Sequence, residues 1–275
     1  MSSVSRALAL ICLVATATAC RAVPILRVCA DPDNLPWSND HQQGFENRIA
    51  NLLATDMGMQ VAYVWFPQRE AFFRKTLNAG VCDVVMGVPV GMDEAATTRP
   101  YYVSSYAFLS RRDRHLRISS LDDPRLQTLK IGVHISGEQD ESLPPAEALI
   151  RRGIVRNLVG YSIFGNLYET NPAADLIKAT VQRQVDVAVV WGPLAGYFAR
   201  QSPVALDITP ITADTKNPEL PMAFAIGIGV RRNDEVLLRR LDAELARRKP
   251  EIQRLLVRYG IPQVSPAAPA FQGGN

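Results

Sequence analysis

Residues 25–58 read ILRVCADPDNLPWSNDHQQGFENRIANLLATDMG. Ile25 to Ala30 form a short apolar-rich run that ends in the turn-forming Asp31-Pro32-Asp33-Asn34-Leu35-Pro36. Phe45, Ile49, Leu52, Leu53 and Met57 then recur at helical spacing until Gly58. The stretch is a strand, a loop and a helix. The pattern continues downstream: Gln60 to Phe66 is strand-like, Arg69 to Ala79 reads as a helix stopped by Gly80, and Asp83 to Val90 is a third apolar strand. Two βα units leading into a third strand imply a parallel sheet with right-handed crossovers.

A second set follows an extended run at Tyr101 to Leu109 and a charge-dense stretch, Arg111 to Arg117, read as a solvated crossing. Lys130 to Ile135 is a strand, Pro145 to Arg152 a helix and Val155 to Val159 another extended segment. Asn171-Pro172 opens a helix, and Gln184 to Trp191 is a buried strand followed by a short helix to Arg200. The Pro-rich stretch Pro203 to Pro221 reads as the return crossing. Ala223 to Val230 is a last strand, and two amphipathic helices close the chain, the second carrying Ile252, Leu255, Leu256 and Tyr259 and stopped by Gly260. The fold expected is α/β in two lobes, each a mainly parallel sheet flanked by helices, joined by two hinge crossings. Residues 23–112 with 220–262 form the first lobe, 113–219 the second, and 263–275 a loose tail. Ligands of open α/β sheets bind beyond the carboxyl ends of the strands, so the loops after each strand should face a cleft between the lobes.

Residues 1–22 read as an export signal: Arg6 precedes an uncharged apolar stretch, Leu8 to Ala19, with small residues at Ala17, Ala19 and Ala22. Ala17 to Cys20 is also a loose lipoprotein box, leaving lipid anchoring at Cys20 as a minor alternative. No other segment is apolar enough to span a membrane. The chain of 275 residues carries a net charge of +3. Loss of the leader's two arginines leaves 28 basic against 27 acidic residues. A nearly neutral protein gives no reason to invoke nucleic acid. Export places Cys29 and Cys82 in an oxidising compartment, and both lie in strands that a parallel sheet would make neighbours. A Cys29 to Cys82 disulfide is therefore expected, with two buried free thiols as the alternative.

The order of elements, with Ala225-Ile226-Gly227-Ile228-Gly229-Val230 and Val257-Arg258-Tyr259-Gly260-Ile261 near the end, resembles the type II periplasmic solute-binding proteins of ABC transporters. Blocks in the first lobe are more specific: Arg27 to Ser38, Gly44 to Ala50, Asn78 to Pro89 and Thr98 to Tyr102 resemble the quinoprotein dehydrogenase-associated branch, the MoxJ and XoxJ proteins. The resemblance implies a periplasmic accessory of a pyrroloquinoline-quinone-dependent methanol or alcohol dehydrogenase, itself non-catalytic and holding no cofactor. The alternatives are a receptor delivering an unidentified small molecule that is not a typical amino acid, such as a small hydrophobic ligand, to an ABC permease, and a small-molecule lyase on the same fold.

Amino-acid-binding members of this superfamily usually hold the ligand carboxylate with an Arg after the third strand, because a guanidinium donates two parallel hydrogen bonds. Val90 to Ala96 contains no Arg, and Val187 to Val190 runs into Trp191 where those proteins usually place an Asp for the ligand ammonium. A free amino acid is therefore disfavoured. The candidate cleft residues are Asp31, Trp37, Pro89, Tyr101, Tyr102, Ser136, Gly137 and Trp191, a lining suited to an apolar or aromatic surface. For the aromatics, a plain core role is the alternative. No nucleophile elbow, Walker loop, His-Glu-x-x-His or Cys-x-x-Cys occurs. Of His41, His115 and His134 only the last follows a strand toward the cleft, where a structural role is expected. Asp31, Asp33, Asp93 and Glu94 are placed on cleft-side loops as turn and cap residues. Neither a catalytic nor a metal-ligating set is assigned.

Overall fold

Strand β1 (Ile25–Ala30) alternates between two buried environments, which explains its place in the middle of a sheet. Leu26 and Val28 enter one hydrophobic cluster and Cys29 another. The computed structural model describes residues 22–69, 71–136, 143–164 and 170–265. The expected leader, apart from Ala22, and the tail from Pro266 onward lie outside the described residues, as does Cys20.

A two-strand clip, β2 (Asp33–Asn34) and β3 (Ser38–Asn39), follows β1 and leads into α1 (Phe45–Asp56). Phe45, Ile49 and Leu53 lie at i, i+4 and i+8 on the buried face of α1. β4 (Gln60–Trp65), the short α2 (Phe72–Lys75) and β5 (Val84–Pro89) complete the first parallel set. The helix expected over 69–79 is thus reduced to a single turn. Its Thr76 hydroxyl donates to the Phe72 carbonyl, and Leu77 turns into the cluster around the disulfide. β1 pairs parallel with both β4 and β5. Cys29 and Cys82 are bridged, with Cα atoms 5.6 Å apart.

After the short β6 (Ala96–Thr97) comes β7 (Tyr102–Arg111), which belongs to both halves of the molecule. Tyr102 to Ser105 pair with β12, and Tyr106 to Arg111 pair with β10 and β11. The passage between halves therefore falls at Ser105–Tyr106, upstream of the charged stretch read as a crossing. Residues 111–117 instead belong to the second half, tied down by Arg112–Asp207, Arg183–Asp113 and Arg114–Asp186 ion pairs.

The second half contains β8 (Ile131–Ile135), α3 (Pro144–Ile150), β9 (Leu158–Ser162), α4 (Asp175–Val181), β10 (Val187–Trp191) and α5 (Gly192–Ala199). β8 pairs parallel with β9 and β10. The expected return crossing contains a strand, β11 (Leu206–Ile211), which among the described residues pairs only with β7. Pro203 and Pro210 argue for a loop in sequence, but an edge strand tolerates proline because its outer N–H positions need no partner. The chain returns through Met222 into β12 (Ala223–Val230), antiparallel to β5 and β7, then α6 (Glu235–Arg247) and α7 (Lys249–Tyr259). The strand order is β4-β1-β5-β12-β7-β10-β8-β9. This is a two-lobe α/β fold: each half has three parallel strands, joined through antiparallel β12 and β7, with helices on its faces.

Candidate binding cleft

The carboxyl ends of β1 and β5 in one half, and of β8 and β10 in the other, open onto a cleft of about 570 Å³. Of the residues expected there, Asp31, Trp37, Pro89, Tyr102 and Trp191 line it. Tyr101 does not line it but stands behind the wall. Ser136 is not among the lining residues. Gly137 lies outside the described residues.

Both tryptophans join the halves. Trp37, on a first-half loop, packs against the second-half cluster that holds Leu176, Leu194 and Ala195. Trp191 ends β10 of the second half and packs against the first-half core. Trp191 meets Tyr106 at 5.3 Å and Phe224 at 5.7 Å, both edge to face. The three rings surround the point where β7 changes partners, and Tyr106 N–H donates to the Met222 carbonyl of the returning chain. Trp37 Nε1 donates to the Tyr102 hydroxyl at 3.3 Å. A core role and a lining role thus coincide in these residues.

The polar groups of the floor are those the sequence reading missed. Glu46 is 5% exposed on α1, and its Oε1 accepts a 2.6 Å hydrogen bond from the Tyr101 hydroxyl. Burial pushes the Glu46 carboxyl up to about 8, against a smaller opposing effect of that hydrogen bond. The Tyr101 oxygen in turn accepts from Gly87 N–H at 3.1 Å. Gly87 has φ of +74°, and a Cβ there would stand 2.7 Å from Glu46 Oε1. Only glycine fits both the backbone and the space. Gly87 also lies where the register between β5 and β12 shifts, so Val84 and Met86 enter one cluster while Val88 enters the opposite one. The bulge brings the Gly87 N–H to Tyr101. Beside Glu46, Asn47 accepts from Gly44 N–H through Oδ1, while its Nδ2 is buried without a hydrogen-bond partner.

Asp31 caps its own loop: Oδ1 accepts from Asp33 N–H and Oδ2 from Gln68 N–H. Asp33 reaches across, its Oδ2 accepting from Asn171 N–H at 3.0 Å, while Asn171 Oδ1 accepts from Leu35 N–H at 3.1 Å. Asp93 and Glu94 do not reach the cleft. Asp93 faces solvent with Arg232 3.8 Å away, because the loop after β5 turns outward at Gly91. His134 does line the cleft, with Nε2 2.9 Å from the Ala173 carbonyl, and burial depresses its imidazole to about 4. It is a neutral donor to that carbonyl. The cleft also has a guanidinium that the strand-end reading did not find: Arg69 lies over the Phe164 ring at 5.8 Å. Among the described residues no group of three or more His, Cys, Asp or Glu is arranged to hold a metal. No helix of the described residues is long and apolar enough to cross a membrane.

Two α/β lobes sharing β7, with a cleft at the strand ends, define the fold of type II periplasmic binding proteins. The XoxJ periplasmic binding protein of Methylobacterium extorquens AM1 superposes with a TM-score of 0.72 at 31% identity, covering 88% of this chain and all of that one. Protein MoxJ of Methylorubrum extorquens is 32% identical over 249 residues, 86% of this chain and 81% of its own length. MoxJ of Paracoccus denitrificans is 29% identical over 253 residues, 86% and 88% respectively. No protein-family profile matches the chain. The chain belongs to the MoxJ family.

Proposed function

We propose that this protein is an exported, non-catalytic accessory of a periplasmic quinoprotein methanol or alcohol dehydrogenase. It holds an apolar segment of that partner in the inter-lobe cleft and so helps it to mature or to become active. Membership of the MoxJ family is the observation that carries the reading, and the aromatic lining supports it. Trp37, Tyr102, Tyr106, Trp191 and Phe224 offer large, rigid contact area at low cost in side-chain entropy. The disulfide fits an oxidising compartment. The residues of the usual amino-acid clamp are absent from 90–96 and from the end of β10. Arg69 stands elsewhere, over Phe164.

The test is calorimetric titration of purified dehydrogenase into the wild-type protein and into Trp37→Ala with Trp191→Ala, each checked for fold by circular dichroism. Binding by the wild type, weakened tenfold or more in the variant, is the expected result; unchanged affinity in a folded variant removes the cleft from the reading. A second reading is favoured by the cleft volume, which lies within the range of small-molecule sites: a receptor for a small apolar solute. A solute that raises the melting temperature, with no affinity for the dehydrogenase, would replace the first reading with the second.

A further inference from the structure

A second concavity lies away from the cleft, where α1 and α7 of the first half meet α5 of the second. It encloses about 710 Å³, and its charged side chains are all cationic: Arg48, Arg200 and Arg258. Tyr197 and Tyr259 stack across it at 6.0 Å with their planes 16° apart. Most arginines in this protein are paired with carboxylates, several of them twice, as Arg151, Arg152 and Arg248 are. Arg48, Arg200 and Arg258 form no ion pair among the described residues. Arg48 and Arg258 make no side-chain hydrogen bond there either, and Arg200 spends one N–H on the Val257 carbonyl at 2.9 Å.

The surroundings are rigid. A Cβ on Gly196 of α5 would stand 1.9 Å from the Gly260 carbonyl oxygen, so the two backbones are in direct contact. Gly260 ends α7 with φ of +74°, and the stem of Arg200 passes over it. Tyr259 donates its hydroxyl hydrogen to the Gln43 carbonyl at 2.6 Å. The groove thus presents several free guanidinium N–H groups from α1, α7 and the carboxyl end of α5, spread over a preorganised junction with no acid among its lining residues. Each fork suits a carboxylate bidentately. The volume admits several residues of chain rather than one small ion. The surface is concave, so it lacks the projecting apolar face with which a protein enters a membrane interface.

We propose that this groove docks a carboxylate-rich segment of a partner polypeptide, gripped by Arg48, Arg200 and Arg258 across the junction of the two halves. The probe is a hexaglutamate peptide, titrated into the mature protein at about 20 mM and 200 mM salt, with hexaglutamine, inorganic phosphate and anionic phospholipid vesicles as comparisons. The expected result is saturable binding of hexaglutamate alone, weakened at least tenfold by high salt. Arg48→Ser with Arg258→Ser should weaken it at least tenfold, and Arg156→Ser, an exposed charge elsewhere, less than twofold. Arg200→Lys keeps the charge and removes the fork without uncovering Gly260, and should weaken binding several-fold. Equal loss in the Arg156 variant, displacement of the peptide by equimolar phosphate, or preferential binding to vesicles would each overturn the proposal.

Discussion

Glu46 lies on the buried face of α1, in line with Ala50, Leu53 and Met57, and its proton links stability to pH. A glutamate of the unfolded chain ionises near 4.5, whereas in the fold this one holds its proton to about 8. Between those values the folded state carries a proton that the unfolded state has released. Its stabilising contribution is complete below about pH 4.5 and declines as pH rises to about 8, by up to about 1.4 kcal/mol per unit. His134 acts in the opposite sense. Its folded value near 4 lies below the ordinary 6.5, so its contribution is complete above 6.5 and declines as pH falls toward 4. Considering these two groups, wild-type stability should be nearly level from about pH 4.5 to 6.5 and fall from there to about 8. Glu46→Gln should abolish the alkaline fall and uncover a rise between pH 4.5 and 6.5. Urea midpoints measured from pH 4.5 to 8.5 decide this, and parallel profiles for the two proteins would refute it.

At the scale of elements, the bridge from Cys29 to Cys82 closes a segment 53 residues apart in sequence. In the chain-entropy account, opening a loop of that length costs about 4 kcal/mol. Cys29→Ser with Cys82→Ser should lose a comparable amount in denaturant unfolding, and a loss below about 1 kcal/mol would show that the bridge is incidental. In the loop after β11, Asp214 is fully buried as a side chain and meets Arg152 through both oxygens at 2.6 and 2.7 Å. Arg152 holds that carboxyl well below the ordinary carboxylate range. Asp214→Ala leaves a buried guanidinium with Asp122 and the Ala148 carbonyl as its remaining partners and also removes the acceptor of the Lys216 and Asn217 N–H groups. A loss of about 3–5 kcal/mol is expected by thermal or denaturant unfolding; a loss below about 1 kcal/mol would show that Asp122 and the Ala148 carbonyl suffice.

These elements also show what sequence reading reaches. The βα rhythm, both hinge-side strands and the disulfide were legible because apolar periodicity and neighbouring strands are local signals. β11 was not, since its prolines are harmless only on an edge, and edge position is a property of the assembled sheet. Glu46 was within reach: a carboxylate four residues before Ala50 and seven before Leu53 sits on the wrong face of an amphipathic helix. Arg69 was beyond reach, because its place over Phe164 depends on how the halves meet.

Apart from the junction of α5 with α7, the two halves meet through few polar interactions. The halves share β7 and the return through Met222, and at the cleft mouth they meet through Asn171 with Asp33 and Leu35. Asn171 has φ of +51° and ψ of +60°, a left-handed conformation that glycine adopts freely. Asn171→Gly therefore removes the Oδ1 acceptor while keeping the backbone and its N–H donation to Asp33. One neutral hydrogen bond is worth about 1 kcal/mol, which raises the ratio of open to closed molecules about fivefold. Spin labels on an exposed residue of each half, such as Arg239 and Arg156, should show by pulsed distance measurement a larger fraction at long separation in the variant. Asn171→Ala should add backbone strain and lower thermal stability further than glycine does. If the Gly variant gives the wild-type distance distribution, closure rests on the Trp37 and Trp191 contacts instead, and the mouth hydrogen bonds are passive.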